Sequence, residues 1–429
     1  MHYADDASMP QAGTNGRAAR LALALIVSLF FLWGMANNLN DILIKQFKKA
    51  FELSDFQAGL VQSAFYLGYF LLAIPAGICM RRFGYKGALL IGLGLYAVGA
   101  LLFYPAAAMH TYGMFLLALF VIASGLAFLE TSANPLVTVL GPPEGAARRL
   151  NFAQSFNPLG SLTGIWIGQH FILSGIEYTP RELAAMAPSA RQAWYAAESS
   201  AVQTPYLVIA LVVALWLLLI AFTRFPATAR HEADDNGARP QLGRLLRNKR
   251  FMLAVAAQFF YVGAQVGVWS FLIRYTQGTM PGTPEKSATN FLYYSLVAFM
   301  LGRFAGTVLM RFLAPVRLLA IFAGINIALT AAAVLLPGWI GVHALVATSF
   351  FMSVMFPTIF ALGLDGLGIE DRKLGSPLIV MAIIGGAILT ALMGALSDAA
   401  GIHRAMAVPL LCFVVVLGFA LYSRKLRAV

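Results

Sequence analysis

The sequence predicts an all-α membrane protein with twelve transmembrane helices in two pseudo-symmetric six-helix bundles. Hydrophobic residues make up 60% of the 429 residues and charged residues only 11%, whereas soluble domains carry about a quarter of their residues as charged side chains. The apolar residues fall in runs of about twenty, the length of a helix that crosses a hydrocarbon layer roughly 30 Å thick. The two halves also share landmarks, as expected for parallel repeats about an axis along the membrane normal.

Polar breaks divide the apolar residues into twelve predicted spans. The spans cover residues 20–43, 56–80, 87–107, 113–138, 150–173, 204–224, 251–274, 288–311, 316–336, 340–362, 375–396 and 405–423. The first run is longer than the apolar core of a signal peptide, so we expect it to be retained as a helix.

The basic residues predict the orientation. When the N-terminus is placed in the cytoplasm, 21 of the 30 Lys and Arg residues fall on the cytoplasmic side. The positive-inside rule therefore predicts that both termini are cytoplasmic. The net charge of +12 is spread around the spans and forms no basic stripe or recognition motif. We therefore expect a lipid bilayer, and no nucleic acid, as the surroundings of this chain.

The longest polar connection lies between spans six and seven. It divides the chain into a cytoplasmic tail (1–17), an N-terminal six-helix bundle (18–225), a cytoplasmic linker (226–250) and a C-terminal six-helix bundle (251–429). An external segment, 174–203, is predicted to form short surface helices, either as a lid-like loop or as a simple connection.

Two short sequence motifs recur at matching positions in the two halves. The run PLVTVLG at 135–141 ends span four and PTIFALG at 357–363 ends span ten, and each precedes a pair of basic residues. Gly77 and Gly306 each lie five residues before an arginine, after spans two and eight. Repeated halves imply a site between them.

Asp41 and Glu130 are the two acidic residues, of eighteen, that fall within apolar spans away from tails, loops and span ends. A charged side chain at mid-membrane costs roughly 2.5–3.5 kcal/mol, so it normally faces a bundle interior or a cavity and marks a pathway. Two other interpretations are open: Asp41 reaches the external surface from the end of span one, or both acids join helices to each other. The polar surroundings favour a pathway.

Those surroundings are polar faces on four spans. Asn37 and Asn38 precede Asp41 by four and three residues, and Asn134 follows Glu130 by four, so each set shares a helical face. Spans five and seven add the following side chains at spacings of three or four residues: Gln154 and Asn157, and Gln258, Tyr261, Gln265 and Trp269.

Amides, carboxylates and aromatic rings together suit a sugar, because hydroxyls both donate and accept hydrogen bonds and pyranose faces pack on aromatic rings. Some of these amides also fit a purely structural role as hydrogen bonds between helices. A carboxylic acid in a low dielectric favours its neutral form. Releasing that proton when water enters from one side would link proton flow to solute flow.

Enzymatic and ATP-driven functions lack support in the sequence. There is no GxxxxGK[ST] phosphate loop, and neither the six His nor the two Cys have metal-ligand or disulfide spacing. We expect no metal, no enzyme activity and no cofactor beyond the coupling proton. Sodium coupling is an open alternative, since a carboxylate beside amide oxygens also suits that ion.

Three segments resemble a known family: FFLWGMANNLNDIL, DFQAGLVQSAFYLGYFLLAIPAGI and LETSANPLVTVLGP. They are similar to the fucose/galactose/glucose/proton symporter family within the major facilitator superfamily, and further matching segments cover nearly all the membrane portion. The double Asn before Asp41 and the VGAQ-x4-Ser run of span seven are most similar to its fucose-transporting members. The resemblance implies uptake of a neutral monosaccharide with a proton by alternating access. L-fucose is the first expectation, followed by D-galactose, D-glucose and D-arabinose.

The resemblance also implies roles for single residues. Asp41 would carry the coupling proton, Glu130 would titrate in the sugar cavity, and Asn38, Gln154 and Asn157 match polar cavity positions. It further implies a monomer in the bacterial cytoplasmic (inner) membrane.

One position departs from the superfamily pattern. In GICMRRFGYK, Arg81 stands where the superfamily has an acidic residue, which puts a gating salt bridge through that position in doubt. Two other functions fit less well. An exporter or drug antiporter would favour a cavity with few amides, and a sensor or intramembrane enzyme would need an added domain or a catalytic set.

Overall fold

The computed structural model describes residues 12–51, 55–140, 142–172, 178, 180–223 and 242–427. The α-helices of this part are α1 Ala12–Ala50, α2 Asp55–Ala108, α3 Tyr112–Val139, α4 Ala146–Gln154, α5 Phe156–Ile167, α6 Pro180–Ala185, α7 Pro188–Ser200, α8 Gln203–Phe222, α9 Leu242–Arg247, α10 Lys249–Thr279, α11 Glu285–Leu309, α12 Pro315–Leu335, α13 Trp339–Met352, α14 Met355–Leu364, α15 Ile369–Met381, α16 Gly385–Ala400, α17 Ile402–Ala405 and α18 Ala407–Arg427. A π-helical turn, Gly168–Ile172, follows α5, and 3₁₀ turns occupy Pro143–Gly145 and Ala382–Ile384.

Helix α2 contains two predicted spans. At 1.5 Å per residue its 54 residues would be about 80 Å long, far more than a hydrocarbon layer requires. Gly84, with φ of 71° and ψ of 178°, interrupts the helix between the two spans. Glycine adopts this left-handed φ without a steric penalty, so the chain turns here between one crossing and the next.

The predicted all-α fold is confirmed. Among the described residues, nine continuous helical stretches are long and apolar enough to cross a membrane, and the apolar stretch Leu21–Ala36 is shorter. One of the nine, Ser63–Ala108, is the double span of α2, and α4, α5 and the π turn cover the predicted fifth span. Together these segments account for the twelve predicted crossings.

Several spans are broken near their middle. Span five is divided at Ser155 between α4 and α5, span ten between α13 and α14, and span eleven at the Ala382–Ile384 turn between α15 and α16. Breaks in transmembrane helices free backbone groups, which are tolerated where protein surrounds them or where they line a cavity. All three breaks therefore lie in spans suited to form the interior of the bundle pair.

Close helix packing places span one against span five. A side chain at Gly34 of α1 would collide with the carbonyl of Asn157, and one at Gly160 of α5 would collide with the carbonyl of Phe31. Small residues at such crossings let two membrane helices approach backbone to backbone. This crossing fixes the rotation of the α1 backbone relative to α5.

The external segment is helical, as predicted, but it does not simply lie on the surface. In α7, Glu198 is 3% exposed, and the Nε2 group of Gln46 in α1 donates to its carboxylate and to its carbonyl, at 2.7 Å each. Helix α7 is therefore attached to the end of span one. Residues 174–177 and 179 of this segment lie outside the described chain.

Contacts within each half dominate the packing. Helix α2 packs on α3 and α8, while α10 packs on α16 and α18 and α12 packs on α13 and α18. The halves meet where α15 contacts α2 and α3, and where α4 contacts α11 and α14. The division into two bundles with a linker at 226–250 stays a prediction, and residues 224–241 lie outside the described chain.

Candidate functional site

Helix α3 carries an acid and an amide into the protein interior. Glu130 and Asn134 lie one turn apart, and their side chains are 1% and 0% exposed. Neither carboxylate oxygen of Glu130 has a hydrogen-bond partner among the described residues, and the Asn134 Nδ2 group has none either. Buried polar groups are normally satisfied. Unsatisfied ones at the centre of a membrane protein indicate where a polar ligand or water binds.

Two aromatic residues that were not predicted from the sequence line this region. Tyr69 of α2 interacts electrostatically with Glu130, and the indole of Trp33 of α1 lies near the Tyr69 hydroxyl. Both rings are buried, and within the described residues neither the indole N–H nor the hydroxyl makes a hydrogen bond of normal geometry. An apolar ring surface, two donors and a carboxyl group thus converge, as a sugar site requires.

A hydrogen-bonded chain leads from Asn134 into the other half of the protein. Gln154 donates from Nε2 to Oδ1 of Asn134 at 3.0 Å. Nη1 of Arg303 donates to the carbonyl of Gln154 at 2.9 Å and to its Oε1 at 3.2 Å. Nε of Arg303 donates to the carbonyl of Ser353 at 2.9 Å. Arg303 therefore connects span five of the first half to span ten of the second.

Arg303 is a site residue that the sequence analysis missed. Its side chain is 4% exposed, and its guanidinium carbon lies 4.8 Å from the centre of the Phe299 ring. The signal was present, because an arginine within the apolar run LGRFAG of span eight is as costly as an intramembrane acid.

The predicted polar face of span seven divides into two parts. Gln258 and Tyr261 are fully buried, and neither the Gln258 amide nor the Tyr261 hydroxyl has a hydrogen-bond partner of normal geometry in the described chain. Tyr261 also interacts electrostatically with Arg303. Gln265 is half-buried. Trp269, farther along, donates from Nε1 to Oγ of Ser349 at 3.1 Å, so its polar atom is already occupied.

Asn157 lies half-buried near the start of α5. Its carbonyl contacts α1 at Gly34 and accepts a hydrogen bond from Ser161 at 3.1 Å. The backbone of Asn37, Asn38 and Asp41 continues in α1 from this crossing, but their side chains lie outside the described part of the protein. Their convergence with Glu130 stays a prediction.

The candidate site has no metal-binding constellation within the described ranges. There, no group of three or more His, Cys, Asp or Glu side chains is placed to hold a metal ion. The polar groups that do converge are carboxyl, amide, hydroxyl, indole and guanidinium groups, which suit hydrogen bonding to a hydroxylated solute.

Contacts between the halves close the protein at the end that the basic residues predict to be cytoplasmic. Nε of Arg81 on α2 lies 3.3 Å from Oε2 of Glu370 on α15. Within α15 itself, Nζ of Lys373 lies 2.8 Å from Oε1 of Glu370. Ser376 donates to the carbonyl of Thr131 at 2.6 Å. The doubt about a salt bridge at Arg81 was therefore wrong: the ion pair exists, with its acid in the other half.

Comparison with known proteins agrees with this architecture. Residues 22–376 match the Major Facilitator Superfamily. The chain is 47% identical over 416 residues to the L-fucose-proton symporter of Escherichia coli (strain K12), covering 96% of this chain and 95% of that protein. It is 37% identical over 405 residues to the glucose/galactose transporter of Brucella abortus (strain 2308), covering 94% of each.

A solved structure gives the same result at the level of the fold. The crystal structure of the superfamily transporter FucP in the outward conformation superimposes with a TM-score of 0.88 and 47% identity, covering 95% of this chain and 99% of that chain. The closed contacts between α2 and α15 and the buried polar groups between the halves thus occur in a known transporter fold. This multi-pass membrane protein belongs to the Major Facilitator Superfamily and is a transporter of the fucose/galactose/glucose/proton symporter type.

Proposed function

We propose that this protein takes up L-fucose together with a proton by alternating access. The observation that carries the proposal is Glu130, a buried carboxyl group without a hydrogen-bond partner in the described chain, set among aromatic and amide groups. The similarity to the L-fucose-proton symporter of E. coli extends over nearly the whole chain and supports both the sugar and the coupling ion.

The proposed roles follow the geometry. Asp41 and Glu130 exchange the coupling proton, and Glu130 also contacts the sugar. The sugar-binding set predicted from the sequence is Asn37, Asn38, Asn134, Gln154, Asn157, Gln258, Tyr261, Gln265 and Trp269, and the structure adds Trp33, Tyr69 and Arg303 as neighbours of that set. The rings supply flat apolar surface, and the amides and the carboxyl group supply hydrogen bonds.

Coupling follows from the cost of an unpaired charge. An ionised carboxyl group that is buried without partners is strongly disfavoured, so the carrier closes around Glu130 far more readily when that group is protonated. Because the closed protein opens to alternate sides, a proton taken up on one side is released on the other. The same step moves the sugar.

Uptake requires an orientation, which we propose from the positive-inside rule. Both termini face the cytoplasm, and the contacts between Arg81 and Glu370 then close the cytoplasmic side. A carrier closed on that side corresponds to the outward conformation of FucP, with which this chain superimposes at a TM-score of 0.88. We further propose the bacterial inner membrane as its location and a monomer as its functional unit.

The test is sugar-induced proton movement in de-energised cells that produce the protein. Adding L-fucose should alkalinise the medium, and the Asp41→Asn and Glu130→Gln variants should lose this signal while still exchanging labelled sugar across the membrane. Glu144→Gln, in an exposed loop, is the matched control and should behave like the wild type. A full proton signal in both Asp41→Asn and Glu130→Gln would remove the proposed coupling.

D-glucose and D-galactose are the second candidate substrates. The Brucella abortus relative is named a glucose/galactose transporter and matches 94% of this chain. Measuring the affinity of the purified protein for D-glucose, D-galactose and L-fucose distinguishes the two proposals, since the transported sugar should bind most tightly. Replacing sodium at fixed pH tests the sodium alternative, and proton coupling predicts unchanged uptake.

A further inference from the structure

A cationic pocket lies at the predicted cytoplasmic end of the C-terminal half. It has a volume of about 700 Å³ and is lined by Gly243, Arg244, Arg247 and Asn248. Both arginine side chains are exposed. Asn248 accepts a hydrogen bond from the backbone N–H of Phe251 through Oδ1, so it caps α10 and keeps an amide donor for other contacts. The pocket thus offers two full positive charges beside the N-terminus of a 31-residue helix, a favourable place for an anion.

An acid near this region has a basic partner of its own: Nη2 of Arg250 lies 2.8 Å from Oδ2 of Asp365. The lining of the pocket contains two arginines and no acidic residue. Within the described ranges this lining gives a positive potential at a membrane surface.

An apolar groove begins where the cationic pocket ends. It has a volume of about 440 Å³ and is lined by Leu246, Phe251, Met252, Val255, Ala256, Phe259, Phe260, Leu378, Met381 and Ala382. We call it the α9–α10 groove. It runs along α10, with α15 as its far wall, and Leu246 immediately precedes Arg247 of the pocket.

The dimensions fit one leaflet of a bilayer. From Lys249 to Phe260 within α10 the chain advances eleven residues, which is about 17 Å along a helix. Half of a hydrocarbon layer is about 15 Å thick, and a headgroup layer lies outside it. A charged pocket at headgroup depth and an apolar groove beneath it match the two parts of one lipid molecule.

We propose that the pocket and the α9–α10 groove together form a binding site for an anionic glycerophospholipid of the cytoplasmic leaflet. Arg244 and Arg247 bind the phosphate, Asn248 donates to the headgroup, and an acyl chain lies along Val255 and Phe259. Basic pockets between transmembrane helices on the cytoplasmic side commonly hold anionic headgroups in this way. The lipid contacts α10 and α15, the two helices that carry the Gln258–Tyr261 pair and the ion pair to Arg81, respectively.

Lipid retention by the purified, full-length protein tests the site. Native mass spectrometry should show one tightly held phosphatidylglycerol. Phosphatidylcholine with the same acyl chains should be retained about thirtyfold less, the equivalent of about 1 kcal/mol of attraction for each of the two arginines. The double variant Arg244→Gln/Arg247→Gln should lose this preference. Arg311→Gln/Arg317→Gln removes two exposed arginines from the same end of the C-terminal half and should keep it.

The apolar part needs its own test. Ala256→Trp fills the groove and should release the lipid, whereas Leu253→Trp, an exposed position on the same helix outside the groove, should not. Soluble glycerol 3-phosphate should fail to displace the lipid, because it cannot use the groove. Equal retention of the two lipids, equal loss in both double arginine variants, or displacement by glycerol 3-phosphate would each overturn the proposal.

Discussion

The buried polar residues are of two kinds: those whose polar atoms make hydrogen bonds within the protein, and those whose polar atoms make none among the described residues. Trp269 donates to Ser349 and Tyr275 donates to the carbonyl of Ala333 at 2.6 Å, so both already have structural partners. Glu130, Tyr69 and Gln258 have buried polar atoms without such partners in the described chain. Because an unmade hydrogen bond in a low dielectric is costly, the second group is the better candidate for contact with sugar.

Tyr69→Phe should weaken L-fucose binding by about three- to tenfold, the loss of one hydrogen bond worth about 0.5–1.5 kcal/mol. Calorimetric titration of the purified protein measures this affinity. Tyr275→Phe is the control: it removes an equally buried hydroxyl whose partner is a backbone carbonyl, so stability falls while affinity stays. An unchanged affinity in Tyr69→Phe would place its hydroxyl outside the sugar site.

Arg303→Lys keeps the positive charge but cannot serve the carbonyls of Gln154 and Ser353 and the Gln154 side chain together. A buried hydrogen-bond acceptor that loses its donor costs about 1–3 kcal/mol, so we expect the initial rate of L-fucose uptake to fall about tenfold or more. Arg311→Lys, at an exposed position after α11, should keep the wild-type rate. If both variants transport equally, Arg303 does not position the site.

At the scale of elements, close backbone approaches decide where the polar faces point. The crossing of α1 and α5 depends on Gly34 and Gly160, each facing a backbone carbonyl of the other helix. The breaks in spans five, ten and eleven then turn the chain beside the interior. A polar residue reaches the site because its helix is held in one rotation by these contacts.

Gly34→Ala and Gly160→Ala should each lower the apparent melting temperature of the purified protein by several degrees. The added Cβ overlaps a carbonyl of the facing helix, and overpacking of this kind costs about 1–3 kcal/mol. A thermal-shift assay in detergent gives the measurement. Gly324→Ala in α12, where a Cβ meets nothing within 4 Å, should leave the melting temperature unchanged or raise it. Equal shifts in all three variants would contradict the role of the α1–α5 crossing.

At the scale of the whole molecule, the two halves are joined by a few polar contacts at one end. Glu370, which pairs with Lys373 inside α15, contacts Arg81 across the halves, and Ser376 contacts Thr131 across them. Such contacts must break when the carrier opens on that side, so they hold the protein in the observed arrangement. Arg81 is 38% exposed, and exposed ion pairs are weak. Contacts of this strength can break and re-form during each transport cycle.

Glu370→Gln should increase the population that is open at this end by about two- to fivefold, because it removes the modest ion pair to Arg81, which is the one of the two Glu370 ion pairs that crosses the halves. Distances between two nitroxide labels, one on α2 and one on α15, report that population. Asp371→Asn is the control, since this neighbouring acid makes no ion pair across the halves among the described residues. If the open population shifts equally in both variants, the loss of one negative charge causes the shift, and the ion pair between Arg81 and Glu370 does not.

The sequence by itself determined the all-α membrane fold, the twelve spans and the acid buried in span four. Each depends on the local length and polarity of a segment in a lipid solvent, which one segment reveals on its own. Only the tertiary structure decided that Tyr69 lies between Glu130 and Trp33, that Gln154 contacts Arg303 across 149 residues, and that Arg81 pairs with an acid in the other half. Such contacts depend on how whole helices cross and rotate against each other. The spacing of residues along a single helix does not determine this.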